Sequence, residues 1–457
     1  EQLSWDTRST AYSGIGAPEV AINCICQALG RKKKKIIHPP RFLYAIEWDE
    51  DAQKELQILL APTGGCLFGD ITQFFIPELQ DQVLRPAIRN GGAVTSKGWC
   101  LVHKKYCYLK PARHHTAGTS CTAFSKQGPQ TGIHHWTIVP LLAWIGLRLL
   151  LQEAEVEQEN VEGFDLAILS EFLGDTYWID SVLLDPRMFG WPSIRTRKWT
   201  KLTHKYKALP QISPLSRFCK RFYRLATYSW REYFFQHMFY GIVDSADLHR
   251  GAIDNELDTD LAWAQARPSS CMKGEAAVNA RTPDAWFKTL SIWEKSNLLD
   301  YMKNYPNAAW QINQDANSHT TASTSTDLHT LIRNHIIFAD SIGSYQAAGG
   351  ETAESPRRWL SPTEALVSQG FPIHPVYPQR SQSDVLCSFN VRAERKHRVV
   401  AGQAGNTMNV SVAGVFALAG YCNLAFRENA MLTAIAMSMH VPKPIKDTRD
   451  KGQGTHS

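Results

Sequence analysis

The sequence predicts an α/β fold, a Rossmann-like core joined to a second, irregular domain. Three features predict it. Through about residue 199, short apolar runs suited to strands alternate with amphipathic runs suited to helices. Glycines or acids stand at the ends of the strand-like runs, where a parallel sheet presents its ligands. Beyond Trp199 the alternation gives way to a basic, aromatic stretch and then to a mixed region rich in Trp and Asp. With 457 residues, 44% hydrophobic and 20% charged, the chain has the composition of a soluble globular protein of roughly two or three domains.

The elements follow in order. Arg8 to Tyr12 reads as an unusually polar first strand. It enters the small-residue turn Tyr12-Ser13-Gly14-Ile15-Gly16-Ala17-Pro18, and Glu19 to Leu29 is compatible with a helix. Phe42 to Ile46 is a second strand finishing at Glu47, with a helix from Asp49 to Leu60 behind it. Cys66-Leu67-Phe68 leads into Gly69-Asp70-Ile71. Glycines let the backbone approach a ligand, a carboxylate at the second strand suits ribose hydroxyls, and an acid after the third can face a nucleobase. No full G-x-G-x-x-G follows the first strand, which argues against a dinucleotide and for a smaller ligand such as S-adenosylmethionine. Late in the chain, Leu360 to Phe371 regains a helical pattern, and Gly405 to Leu418 reads as a strand or turn entering a buried helix.

The segment Gly118-Thr119-Ser120-Cys121-Thr122-Ala123-Phe124-Ser125-Lys126-Gln127-Gly128 sets one cysteine among glycines and hydroxyl residues. A thiolate that attacks the ring of a bound base needs close backbone approach and hydrogen-bond donors, and such a loop supplies both. Glu159-Asn160-Val161 follows after a helix-like apolar run and a short strand-like segment.

Ten cysteines without regular spacing fit a reducing compartment better than a disulfide framework. The most metal-like group, Cys100, Cys107, His114 and His115, matches no common zinc spacing, and no metal site is expected. His114, His115, His134 and His135 read as surface or loop histidines. The longest apolar run, Ile138 to Leu151, is too short to span a bilayer and contains Arg148, so no membrane association is expected. A net charge of +6 leans mildly toward a polyanionic partner. From Lys198 to Phe235, nine Lys or Arg stand against the single acid Glu232, among ten aromatic residues. That window reads either as a nucleic-acid surface or as a basic face over an aromatic core. The polar opening Glu1 to Asp6 carries no secretory signal and reads as the start of a partial or processed chain.

Taken in order, these segments resemble the cytosine-5 DNA methyltransferase family. Tyr12-Ser13-Gly14-Ile15-Gly16 is similar to its F-x-G-x-G cofactor loop, while Glu47 and Asp70-Ile71 resemble its ribose and adenine contacts. Gly118 to Ser125 resembles G-P-P-C-x-x-F-S, Glu159-Asn160-Val161 its E-N-V, and Arg195-Thr196-Arg197 the end of its Q-x-R-x-R. Arg358 to Glu364, ending in Gln369-Gly370-Phe371-Pro372, resembles R-x-L-x-x-x-E…Q-G-F-P. Ala404 to Val410, with Asn406, is similar to the closing G-N element.

The resemblance implies an S-adenosylmethionine-dependent methyltransferase core at 1–199 and a target-recognition domain at 200–345 with a low-complexity linker near 313–327. It also implies a segment at 346–440 that returns to the core, and a tail at 441–457. Cys121 would add to carbon 6 of a flipped cytosine, Glu159 would donate to ring nitrogen 3, Arg197 would contact the base carbonyl, and Arg195 would lie beside it or a phosphate. Tyr12, Ser13, Gly14, Gly16, Glu47, Trp48, Asp70, Ile71 and Asn406 would hold the cofactor. Duplex DNA is the implied partner, for a monomer located in the nucleus if the source is eukaryotic. Thr119-Ser120 replaces the usual Pro-Pro, and Ser193 replaces the Gln of Q-x-R-x-R. Two insertions, one with the run Arg31 to Lys35 and one from about Pro77 to Arg113, read as surface loops. The branch that modifies transfer RNA carries a Cys-Phe-Thr signature that this sequence lacks. A catalytically silent relative is the further alternative, although such proteins usually lose the Cys or the Glu.

Overall fold

A computed structural model describes residues 6–76, 88, 93–125, 128, 130–210, 213–234, 292–315, 322–332, 337–339, 344–346, 352–354, 358–360, 362–372, 397–422 and 424–426. The expected tail at 441–457 and much of the expected target-recognition domain lie outside the described residues. The first nine strands are β1 (Thr7–Ala11), β2 (Arg41–Ile46), β3 (Cys66–Phe68), β4 (Lys97–Cys100), β5 (Lys105–Tyr108), β6 (His114–Gly118), β7 (Glu155–Val161), β8 (Tyr177–Leu184) and β9 (Arg197–His204). They form one sheet in the order β5-β4-β3-β2-β1-β6-β7-β9-β8. The five central strands from β3 to β7 are mutually parallel. Antiparallel hairpins close both edges, β4-β5 beside β3 and β9-β8 beside β7.

The helices lie on both faces of this mixed α/β sheet. α1 (Ala17–Lys33) starts at Gly16, which has a left-handed φ of 87°, and carries Pro18 in its first turn, where a missing N–H costs nothing. α2 (Glu50–Leu60) is capped by Asp49, whose carboxylate accepts from the backbone N–H of Asp51 and Ala52, satisfying two of the donors a helix start leaves open. α3 (Ile138–Leu151) is the apolar run, buried over most of its length, and α4 (Ala167–Leu173) follows β7. Neighbouring strand residues point to opposite faces: Phe68 packs in the cluster of Trp144 and Ile145 from α3, and Leu67 in the cluster of Ile22 and Cys26 from α1.

Strand β1 tolerates its polar sequence because each polar side chain has a partner. Arg8 donates to Glu157 and to Thr116, each at 2.8 Å. Ser9 Oγ lies 2.8 Å from His115 Nδ1, and Thr10 donates to Glu19 at 2.5 Å.

Beyond the sheet come α5 (Leu215–Lys220), α6 (Ile292–Asn304), α7 (Pro362–Ser368), α8 (His397–Asn406) and α9 (Val410–Cys422). A small sheet joins Ala309–Gln311 to Ala322–Ser323, Ile337–Ala339 and Arg358–Trp359. The C-terminal segment returns to the large sheet, since a Cβ placed on Gly414 of α9 would sit 3.7 Å from Ala21 Cβ of α1.

Several sequence expectations are corrected. The basic run is not a loop insertion: Arg31, Lys32 and Lys33 form the last turn of α1, where cations complement the helix dipole. The segment before the nucleophile loop supplies the hairpin β4-β5 and so extends the sheet. Within the expected low-complexity linker, Ala322 and Ser323 are buried strand residues. In the basic aromatic window, Trp199, Phe218, Trp230, Tyr233 and Phe234 belong to a hydrophobic core, and Lys201 is ion-paired to Glu155 and Glu157. Those residues are interior, which favours the second reading of that window, a basic face over an aromatic core. His114 and His115 are fully buried rather than at the surface. Among the described residues, no helix is long and apolar enough to cross a membrane.

Candidate active site

β1 and β6 are neighbours in the sheet, with β2 beyond one and β7 beyond the other. Chain order reverses there, so the loops leaving their C-terminal ends diverge and open a crevice. Residues 12–16 leave β1, residues 119–128 leave β6, and β7 ends at Val161 on the same rim.

The first loop is held in an uncommon shape, with φ of 52° at Tyr12, 55° at Gly14 and 87° at Gly16. Glycine adopts such angles readily. Tyr12 is fixed by its backbone N–H on Ile46 O at 2.9 Å and by its hydroxyl on Pro140 O at 2.7 Å. Burial, then the carboxylates of Asp70 and Glu47, push that hydroxyl well above its ordinary pKa, so these expected ligand contacts share one neighbourhood. Glu47 accepts from Gly14 N at 2.8 Å and from Asp49 N at 3.0 Å. Burial raises its pKa to about 7, against the opposing effect of those amides. Trp48 beside it is 63% exposed. Asp70 is exposed and caps the short turn Ile71–Phe74 through Thr72 N at 2.9 Å; Ile71 is buried.

Gly118, the last residue of β6, is where three segments meet. A Cβ there would lie 2.7 Å from Met408 Cε, 3.3 Å from Tyr12 O and 3.4 Å from Glu159 Oε2. The cofactor-type loop, the acid of β7 and the returning C-terminal segment therefore close on the base of the cysteine loop. At the loop's other end a Cβ on Gly128 would lie 2.1 Å from the backbone oxygen of Thr122, so any larger residue would clash with the loop itself. Between them Cys121 O accepts from the N–H of Phe124 at 3.0 Å and of Ser125 at 2.8 Å.

Cys121 is exposed, yet the surrounding protein still desolvates its thiol. That desolvation, followed by the Glu159 carboxylate, raises its pKa above 9.0, while Arg197 and Arg195 oppose the rise. Glu159 pairs in register with Gly118, and its Oε1 lies 3.1 Å from Arg197 Nε at the start of β9. Thr119 and Ser120, in place of two prolines, are held by other means. Thr119 Oγ1 accepts from Gln158 Nε2 at 2.7 Å and from Asn160 Nδ2 at 2.9 Å. Thr119 O also accepts from Asn160 Nδ2, at 3.1 Å. Hydrogen bonds from β7 thus supply restraint that proline rings would otherwise give.

The structure brings Cys121, Glu159 and Arg197 into one neighbourhood, but Arg195 does not reach the open side. It is 5% exposed, donating to Leu331 O and Gly405 O, each at 3.3 Å. Burial, then repulsion from Arg197, lowers its pKa to about 9. This interior position disagrees with a phosphate contact. Asn406 is exposed at the end of α8, whereas its unselected neighbours reach the crevice: Thr407 Cα lies 3.9 Å from a Cβ placed on Gly14, and Met408 contacts Gly118 as above. Asn409 caps α9, accepting from Ser411 N at 3.1 Å and Val412 N at 3.2 Å. Asn before an apolar helical run is the sequence signal that locates this turn.

The group that looks most metal-like in the sequence is divided. His114 pairs with Glu155 and with Asp6, and His115 accepts from the Trp144 indole at 3.0 Å. Cys100 and Cys107 instead meet Cys66 and His103.

No protein-family model matches the chain, and no curated relative matches its sequence. Solved structures similar to it include the Dnmt2 methyltransferase of S. pombe, 14% identical with a TM-score of 0.46, over 92% of this chain and 100% of that one. Another is a protein assigned as a DNA modification methyltransferase encoded within an E. coli prophage, 14% identical with a TM-score of 0.45, over 91% and 99%. The Entamoeba histolytica methyltransferase EhMeth is 11% identical with a TM-score of 0.44, over 91% and 97%.

Proposed function

We propose that this chain is a cytosine-5 methyltransferase that uses S-adenosylmethionine and acts on a cytosine flipped out of duplex DNA. The meeting at Gly118 carries this reading. One crevice at the switch point of the sheet joins a glycine loop with a carboxylate, an accessible cysteine, and a glutamate paired with arginine. The order of the sequence motifs supports it independently. The residues present fit the cofactor: Ser13 Oγ and Thr407 Oγ1 are buried without a protein partner, and the Glu47 carboxylate lies against Gly14 N. Ser13, Gly14, Glu47 and Asp70 would hold the nucleoside, with Trp48 offering an exposed ring beside it.

S-Adenosylmethionine supplies an electrophilic methyl group. Carbon 5 of cytosine is a poor nucleophile until a nucleophile adds at carbon 6. The Cys121 thiolate forms that bond, and the ring electrons move toward carbon 5. Glu159 donates a proton to ring nitrogen 3, offsetting charge as the adduct forms. Arg197, held by Glu159, contacts the base carbonyl and favours the Cys121 thiolate. Carbon 5, made nucleophilic in this adduct, would take the methyl group. Loss of its own proton to a base, with the nitrogen 3 proton returning to Glu159, then re-forms the double bond between carbons 5 and 6 and releases the Cys121 thiolate. Reaching a base within a duplex requires flipping it, at a cost of about a few kcal/mol.

The test is transfer of labelled methyl groups to duplex DNA and to transfer RNA in one assay. Label in 5-methylcytosine of DNA supports the reading, label only in transfer RNA moves the substrate to RNA, and label in neither points to a silent relative.

A further inference from the structure

We propose that Cys66, Cys100, His103 and Cys107 bind a structural zinc ion that staples the β4-β5 hairpin to the edge of the large sheet. Cys66 opens β3, Cys100 ends β4, His103 lies in the turn after it and Cys107 is in β5. The four ligand atoms all lie within 4.8 Å of one another. His103 Nδ1 is 3.5 Å from Cys66 Sγ, 3.3 Å from Cys100 Sγ and 3.7 Å from Cys107 Sγ.

Hydrogen bonding does not account for that arrangement. An imidazole nitrogen has one in-plane lone pair or one proton and serves one strong partner, yet three sulfurs surround this one. A tetrahedral zinc with Zn–S of about 2.3 Å and Zn–N of about 2.0 Å sets sulfur and nitrogen about 3.5 Å apart, the middle of the observed distances. The donor set, three thiolates and one imidazole, suits zinc among the common divalent ions. His103 N–H also points to Cys100 Sγ at 3.4 Å, offsetting charge on a thiolate ligand.

The hairpin has need of such a staple. Its side chains alternate exposed and buried in β4 and are largely exposed in β5, with Tyr106 63% and Tyr108 62% exposed. So little apolar burial leaves a two-stranded unit marginal by itself. Four protein ligands leave no open position for a substrate, which marks the site as structural rather than catalytic. The hairpin also supports the Asp70 segment: Trp99 N donates to Gln73 Oε1 at 2.8 Å, and a Cβ on Gly98 would lie 2.5 Å from Phe74 Cε1.

The experiment is metal analysis of the full chain, purified reduced from zinc-supplemented medium. One zinc per chain is expected, falling to a small fraction in Cys107→Ser and His103→Ala and unchanged in Cys422→Ser. Replacement with cobalt in the wild-type chain is expected to give the visible bands of a tetrahedral thiolate site, a readout independent of whether the variants fold. Wild-type chain with neither zinc nor the cobalt spectrum would overturn the proposal, as would full zinc retention in both ligand variants.

Discussion

Glu155, Glu157 and Glu159 share one face of β7, yet the two ends of that stripe behave differently. Glu155 and Glu157 are sealed in the sheet, where Lys201, His114 and Arg8 meet their carboxylates. Glu159, two residues on, stands at the strand's C-terminal rim with Arg197 on one oxygen and the cysteine loop beside the other. Burial opposes ionisation of Glu155, but Lys201 and His114 hold its pKa down at about 2. The same residue type is thus a fixed structural charge along the first half of the strand and, under the proposed function, the proton donor at its C-terminal end. Position along the strand relative to the switch point makes the difference.

The comparison is broken or sharpened by substitution. Cys121→Ser has the largest expected effect, a loss of methyl transfer of about a thousandfold or more with the melting temperature preserved. Glu159→Gln should lower transfer by about 10²–10⁴-fold, again with little change in denaturant midpoint. Glu157→Gln should do the reverse, leaving Arg8 without its charged partner and costing about 3–5 kcal/mol of stability, read by urea unfolding. Equal stability losses in the two glutamine variants would erase the distinction drawn along β7.

Smaller effects refine it. Thr119→Ala leaves the Gln158 and Asn160 amides short of an acceptor, an expected cost of about 1–3 kcal/mol, and should slow adduct formation; Thr119→Ser should restore most of both. Because the Cys121 thiol is raised above 9.0, adduct formation in stopped-time assays should accelerate from pH 7 toward 9, by up to about tenfold per unit. Glu155 contributes in the opposite range. Its folded pKa lies below the ordinary 4.5, so its stabilisation is complete above that value and is lost as pH falls toward about 2, which Glu155→Gln should remove from an acid-unfolding profile.

Much of the core was legible because its signals are local. The glycine loop, the strand ending at Glu47, the helix behind it and the apolar α3 each follow from residues close in sequence. The Cys121 loop and Glu159-Asn160-Val161 were legible as a pair. What escaped depends on residues brought together from afar. Arg195 sits beside Arg197 in sequence, yet carbonyls from Leu331 and Gly405 draw it inward. His114 and His115 find buried partners on β1, β7 and α3. Cys66 joins Cys100 and Cys107 only because β3 and the hairpin share an edge, and no spacing rule connects them. The basic aromatic window left two readings open because charge and aromaticity look alike in sequence whether a strand is covered or exposed, and the buried Trp199, Phe218 and Trp230 favour the aromatic core.

Trapping with duplex DNA that carries 5-fluorocytosine tests the central claim most directly. Fluorine at carbon 5 cannot leave as a proton does, so an attacking cysteine remains attached to the base. With S-adenosylmethionine present, the account predicts a denaturation-resistant complex in which peptide mass spectrometry finds the nucleotide on Cys121. Absence of any complex while cofactor and DNA both bind, or attachment at a different cysteine, would contradict it.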